Sequence, residues 1–138
     1  MYMNETKIKV RYVETDQMGI VHHSNYYAWF EVGRTEFISA SGMNYREMEK
    51  QGVLLPLVES SCKYIQGAKY EDVLTIKTWI EELNGAKVVF NYHVIREEDN
   101  KVLAKGSTTH AFVNKEFKII NLKKKNGDMW ELLEELTR

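Results

Sequence analysis

Between Arg11 and Arg34, in the stretch RYVETDQMGIVHHSNYYAWFEVGR, one acid and two adjacent histidines separate an alternating segment from an aromatic-rich one. Asp16 is followed by Gly19, which permits a tight turn, and then by His22 and His23 at the head of a run with helical spacing. A helix start presents amide N–H groups that have no partner inside the helix, at the positive end of its dipole. Opening an ester-like carbonyl needs a group that attacks it or activates water, and donors that hold the developing oxyanion. An ordinary carboxylate is ionised at neutral pH and can fill the first role. The helix start can fill the second. An aspartate in a turn also often bonds its own backbone, and on spacing alone that simpler reading is preferred.

Other familiar constellations are missing. There is no G-x-S-x-G elbow, no glycine loop that would cradle phosphate, no H-E-x-x-H and no paired cysteines. Ser60 and Ser61 read as residues of a strand or its edge, Cys62 as a small buried hydrophobe, and His93 and His110 as surface or hydrogen-bonded core side chains. His22 and His23 are expected to point apart, so no metal is expected between them. Glu31 and Arg34, three apart on a helix, have the spacing of an ion pair with a structural role.

These residues need a scaffold. The segment TKIKVRYV alternates, with Ile8, Val10 and Tyr12 on one face, which predicts a first strand with one wet side. From Asn25 to Ser41 the period becomes helical. Tyr26, Trp29, Phe30, Gly33, Phe37 and Ala40 form one broad apolar stripe, with Ser24 as the expected N-cap and Gly42 as the terminator. NYREMEKQG predicts a short second helix. Five further strands are expected in VLLPLVESSCKYIQG, YEDVLTIKTWIEELNG, AKVVFNYHVIREEDN, KVLAKGSTTHAFVN and EFKIIN, broken at LNGA and EEDNK. DMWELLEELTR closes the chain as a helix with Asp128 as N-cap and Met129, Leu132, Leu133 and Leu136 as its apolar stripe. The order is α+β, with one long helix available to cover a sheet face.

The totals bound the answer. A chain of 138 residues with 28% charged residues fits one globular domain, residues 1–138. A net charge of −1 gives no reason to expect nucleic acid or an anionic membrane as partner. Lys123, Lys124 and Lys125 are expected at the solvated surface. One cysteine excludes an intrachain disulfide. MYMNETKIKV lacks the layout of a secretory signal, and no apolar run approaches the roughly 20 residues of a membrane helix. A cytoplasmic protein is the expectation.

On Tyr12, Thr15-Asp16, Gly19-Ile20-Val21, His22-His23, Asn25-Tyr26, Glu31 and Arg34, the stretch resembles the signature of the 4-hydroxybenzoyl-CoA thioesterase family, in its bacterial small acyl-CoA thioesterase branch. That resemblance implies a single hotdog domain, a curved antiparallel β-sheet wrapped around one long central helix, assembled as a homodimer or homotetramer with sites between subunits. It implies hydrolysis of an acyl-CoA, with no cofactor, since coenzyme A is part of the substrate. The family's catalytic acid falls on Asp16, as nucleophile or general base, and the amide that polarises the carbonyl falls on His23. Tyr12 and the His23 side chain match further catalytic positions, and Gly19, Ile20, Val21 and His22 match positions expected to contact substrate. Relatives often carry proline in the turn where this chain has Gly67. Two rivals share the fold: a hydratase or dehydratase of acyl thioesters, and a non-catalytic module that binds acyl thioesters or acyl carrier protein.

Overall fold

The computed structural model describes residues 1–138. Five strands form one antiparallel sheet: β1 (Asn4–Lys9), β2 (Leu57–Tyr64), β3 (Val73–Leu83), β4 (Lys87–Arg96) and β5 (Lys101–Ala111). Their spatial order is β1-β3-β4-β5-β2. The consecutive strands β3, β4 and β5 therefore form a meander, and β1 and β2 are its edges. Four helices complete the chain: α1 (Ser24–Ser39), α2 (Tyr45–Lys50), the single turn α3 (Leu122–Lys125) and α4 (Gly127–Leu136). This is the α+β arrangement of the hotdog fold. No helix is long and apolar enough to cross a membrane.

The two-residue period of β3 and β4 turns Leu74, Ile76, Thr78 and Ile80, with Val88, Phe90, Tyr92 and Val94, to one buried face. Onto that face α1 lowers Tyr26, Trp29, Phe30, Gly33, Phe37 and Ile38. Phe30 and Phe37 are wholly buried, and burial of each is worth about 1.5–3 kcal/mol. Two glycines let the helix come close. A side-chain carbon on Gly33 would meet Thr78 Oγ1 at 2.5 Å and Ile76 Cγ2 at 2.9 Å, and one on Gly106 of β5 would collide with the Phe30 ring. Phe30 in turn stacks on Tyr92, with ring centroids 4.4 Å apart.

Several expectations needed correction. Ala40 is exposed and Ile38 takes its place in the stripe, because α1 ends at Ser39 and the chain turns away at Gly42, whose φ is +87°. Ser24 is not the N-cap: His23 holds that position with helical angles, and its own side chain makes no capping bond. EFKIIN does not form a sixth strand. The side chain of Asn114 accepts from the amides of Glu116 and Lys118 and folds a tight turn, after which a lone bridge joins Val113 to Ile119. Asn126, not Asp128, caps α4, accepting from the Met129 amide at 3.1 Å. The three lysines of α3 are exposed as expected.

Candidate active site

Beyond β1 the chain makes one 3₁₀ turn, Tyr12–Glu14, which ends the alternation. Val10 stays buried, whereas Tyr12 swings out to 75% exposure instead of joining Ile8 and Val10. The same turn drives Glu14 inward. Its carboxylate accepts from the Arg11 amide at 2.8 Å, from Trp29 Nε1 of α1 at 3.0 Å and from Arg11 Nη2 at 3.4 Å. Burial alone would raise its pKa, but these donors more than offset that and hold it below the ordinary 4.5. The Glu14 carbonyl accepts from the His22 amide at 2.8 Å and from Asn25 Nδ2 at 3.0 Å. One residue thus fastens the loop to the start of α1. Sequence reasoning missed it, because a glutamate in an alternating segment carries no mark of burial.

Asp16 opens a tight turn. Its amide donates to the Ile20 carbonyl at 2.9 Å, and the Gly19 amide donates to its carbonyl at 3.0 Å, with Gly19 at φ +82°. Oδ1 accepts from the Met18 amide at 2.8 Å, the turn bond that aspartate makes readily. Oδ2 makes no hydrogen bond within the chain, and Asp16 borders a cavity of about 290 Å³. Ile20, Val21, His23 and Tyr26 border it too, as do Tyr64 and Gly67 from the far side. Gly19 shapes the turn without lining the cavity, and His22 turns away so that its Nδ1 meets the Ser24 hydroxyl at 2.8 Å.

At the mouth of α1, the amides of Ser24, Asn25 and Tyr26 find acceptors in His22 Nδ1, the His22 carbonyl and the His23 carbonyl. The His23 amide has no acceptor in the chain. The rings of His22 and His23 do not diverge: their centroids are 4.2 Å apart, because His23 sits in helical rather than extended backbone. No third His, Cys, Asp or Glu gathers with them to form a metal-binding group.

The opposite wall comes from the end of β2 and the loop after it. The Tyr64 hydroxyl donates to the His23 carbonyl at 3.4 Å, and its ring meets Tyr26 edge-on at 5.1 Å. Burial and the neighbouring Cys62 thiol push the Tyr64 pKa up to about 12, so it stays a donor. Cys62 is only half-buried on this edge strand. Gly67 admits a close approach: a side-chain carbon there would meet Ile20 Cγ2 at 2.7 Å. Nothing local in the sequence marks Tyr64, Ile65 or Gln66 as neighbours of Asp16, since only pairing in the sheet brings them there.

Tyr12 lies outside the cavity. It borders a separate groove with Lys9, Arg11, Tyr70 and Glu71. Arg34 does not pair with Glu31, which stays at the surface. Arg34 Nη1 donates to the Tyr92 hydroxyl at 3.0 Å, and a buried chain continues through Thr108 to His110 and the Leu55 carbonyl. Burial and the charge of Arg34 lower the His110 pKa to about 4. His93 stands between Lys77 and Lys105, with its ring edge-on to Trp79.

Asp16 and His23 thus border one small cavity of a hotdog fold, at the start of α1, an arrangement that acyl-transfer chemistry could use. Residues 10–125 match the family described as the thioesterase-like superfamily, and the chain belongs to that family. It is 43% identical over 125 residues to YneP of Bacillus subtilis, which carries a provisional acyl-CoA thioesterase name, with 90% of each chain covered. It is 37% identical over 116 residues to an Aquifex aeolicus protein provisionally named an esterase, covering 84% of this chain and 88% of that one. Among solved structures, the DHNA-CoA thioesterase of Staphylococcus aureus superposes with a TM-score of 0.91 at 34% identity, covering 98% of this chain and 91% of that one.

Proposed function

We propose that this protein hydrolyses acyl-CoA thioesters to the free acid and CoA. One observation carries the reading: Asp16, with a carboxylate oxygen left unbonded, shares a cavity with His23, whose amide has no acceptor. The thioester carbonyl sits over the start of α1, with its oxygen accepting from the His23 N–H as negative charge develops. Asp16 then acts in one of two ways. Direct attack forms a mixed anhydride and expels CoA thiolate, and water cleaves the anhydride afterwards. Alternatively Asp16 takes a proton from water, and the hydroxide adds to the carbonyl before the thiolate leaves. The His23 ring orients the substrate, Ile20 and Val21 line the acyl chain, and Tyr12 bonds the substrate from outside the cavity.

The acyl group we assign to the pocket is aromatic. Tyr26, Tyr64 and His23 meet edge to face around it, a lining that favours a flat ring, and the Staphylococcus aureus neighbour acts on DHNA-CoA. The working form in this proposal is a cytoplasmic homodimer or larger homo-oligomer. Its support is β2, an edge strand exposed along nearly all its length, with Leu57 and Val58 bare.

Asp16→Asn tests the mechanism in a free-thiol assay across aromatic and aliphatic acyl-CoAs. The expected loss in kcat is about 10²–10⁴-fold, with an unchanged melting temperature. Turnover near the wild-type value would defeat the assignment. A crotonyl thioester gaining water with no thiol released would favour the hydratase rival, and tight acyl-CoA or acyl-carrier binding without any turnover would favour the binding module.

A further inference from the structure

The cavity at Asp16, about 290 Å³, lies at the low end of the range for sites that enclose a whole small ligand. It can take a thioester and its acyl head but not the nucleotide of CoA. We propose that the adjoining groove at Lys9, Arg11, Tyr12 and Tyr70 is the subsite for the phosphorylated adenosine end of the substrate. The inference rests on the acyl-CoA reading above.

The groove and the cavity are borne by the same two segments. Val10 and residues 71–72 exchange backbone hydrogen bonds of 2.9 and 3.1 Å, and the Val21 amide donates to Ala68 at 2.9 Å. Gly67 of the cavity and Tyr70 of the groove are three residues apart, about 10 Å of extended chain. A pantetheine arm is long enough to run between them. The groove, about 330 Å³, is open to solvent.

Its chemistry suits an adenine nucleotide. Tyr12 and Tyr70 meet edge to face, with centroids 5.5 Å apart, although both are substantially exposed. Exposed rings of this kind offer a stacking platform for a base. Lys9 and Arg11 border the groove, and Lys69 stands exposed beside it in no ion pair. Two carboxylates stand near these cations: Glu71, which is 3.8 Å from Lys9, and Asp72, whose Oδ2 accepts from the Lys69 amide at 2.9 Å and lies 3.8 Å from Arg96. The Glu14 carboxylate, 3.4 Å from Arg11, is turned inward. Arg11 keeps most of its guanidinium free for phosphate, to which its planar donors are matched.

Calorimetric titration of CoA and of 3′-phosphoadenosine 5′-phosphate into wild type and Tyr70→Ala tests this, since neither measurement depends on turnover. The expected result is about tenfold weaker binding of both ligands to the variant, together with weaker binding to wild type at high salt. With acyl-CoA as substrate, KM should rise by the same factor at unchanged kcat, and hydrolysis of the matching acyl-pantetheine should not change. Equal losses on both substrates, no change in CoA affinity, or a changed mass of the assembled oligomer in solution would overturn the assignment. Wild type that binds CoA through Tyr70 yet hydrolyses no thioester would defeat the hydrolase reading and leave this one standing.

Discussion

Glu14→Gln probes how the loop is held to the helix. The carboxylate serves three donors, with Oε1 taking the Arg11 amide and Oε2 taking Trp29 Nε1 and Arg11 Nη2. An amide keeps only one of those oxygens, so in either orientation its NH₂ faces a donor. A buried donor left unsatisfied costs about 1–3 kcal/mol. Loss of the pair with Arg11, whose side chain is largely exposed, adds less than about 1 kcal/mol. The expected total is about 2–3 kcal/mol, a fall of roughly 8–12 °C in melting temperature for a chain of this size. Activity should suffer as well, because the Glu14 carbonyl holds the His22 amide beside the free amide of His23, and a small misplacement there is costly. Calorimetric melting at several pH values checks the argument. Since the folded carboxyl titrates below the ordinary 4.5, the wild-type advantage is fully present above that pH and is lost as pH falls through the folded value. The gap between the two proteins should therefore close in acid. A variant melting within about 2 °C of wild type at neutral pH, or a gap that ignores pH, would refute the reasoning.

Two further outcomes follow from other contacts. Gly67→Ala must displace Ile20. It should cost about 1–3 kcal/mol of stability and reduce kcat/KM more for bulky than for small acyl groups; an equal change across an acyl-CoA panel would place Ile20 outside the acyl pocket. His110 titrates at about 4 when folded, against 6.5 ordinarily, so the unfolded chain takes up the proton first and stability falls as pH drops between these values. The loss is about 2–3 kcal/mol, and melting curves from pH 7 to 4 should fall less steeply for His110→Gln than for wild type.

Much of the scaffold was legible because it obeys simple periods. The alternation in β3 and β4 and the stripe of α1 reflect burial on one side, which composition at fixed spacing records directly. Local rules failed where a tertiary contact outweighed them. Tyr12 fits a strand face by alternation, yet the inward pull on Glu14 turns the chain before Tyr12 can stay on it. Arg34 has the spacing to pair with Glu31 but meets the Tyr92 phenol, 58 residues distant. Type and setting drew attention to Asp16 but favoured a plain turn, and it was the family resemblance that joined it to Ile20, Val21 and His23, which border the same cavity. Tyr64 and Gly67 could not be joined to it, because no sequence interval encodes the fold's decision to lay the end of β2 across the mouth of α1.

The glycines beneath the long helix have a consequence for how this enzyme would respond to distant change. With Phe30 seated over Gly106 and the helix backbone pressed toward Thr78 at Gly33, α1 sits like a key in a keyway. It can neither roll nor slide without driving a ring or a backbone into its neighbour. The start of α1 is thereby held from the middle of the sheet, and on the proposed role of the His23 amide, alterations in β3 or β5 that never touch substrate should surface as faults in catalytic alignment.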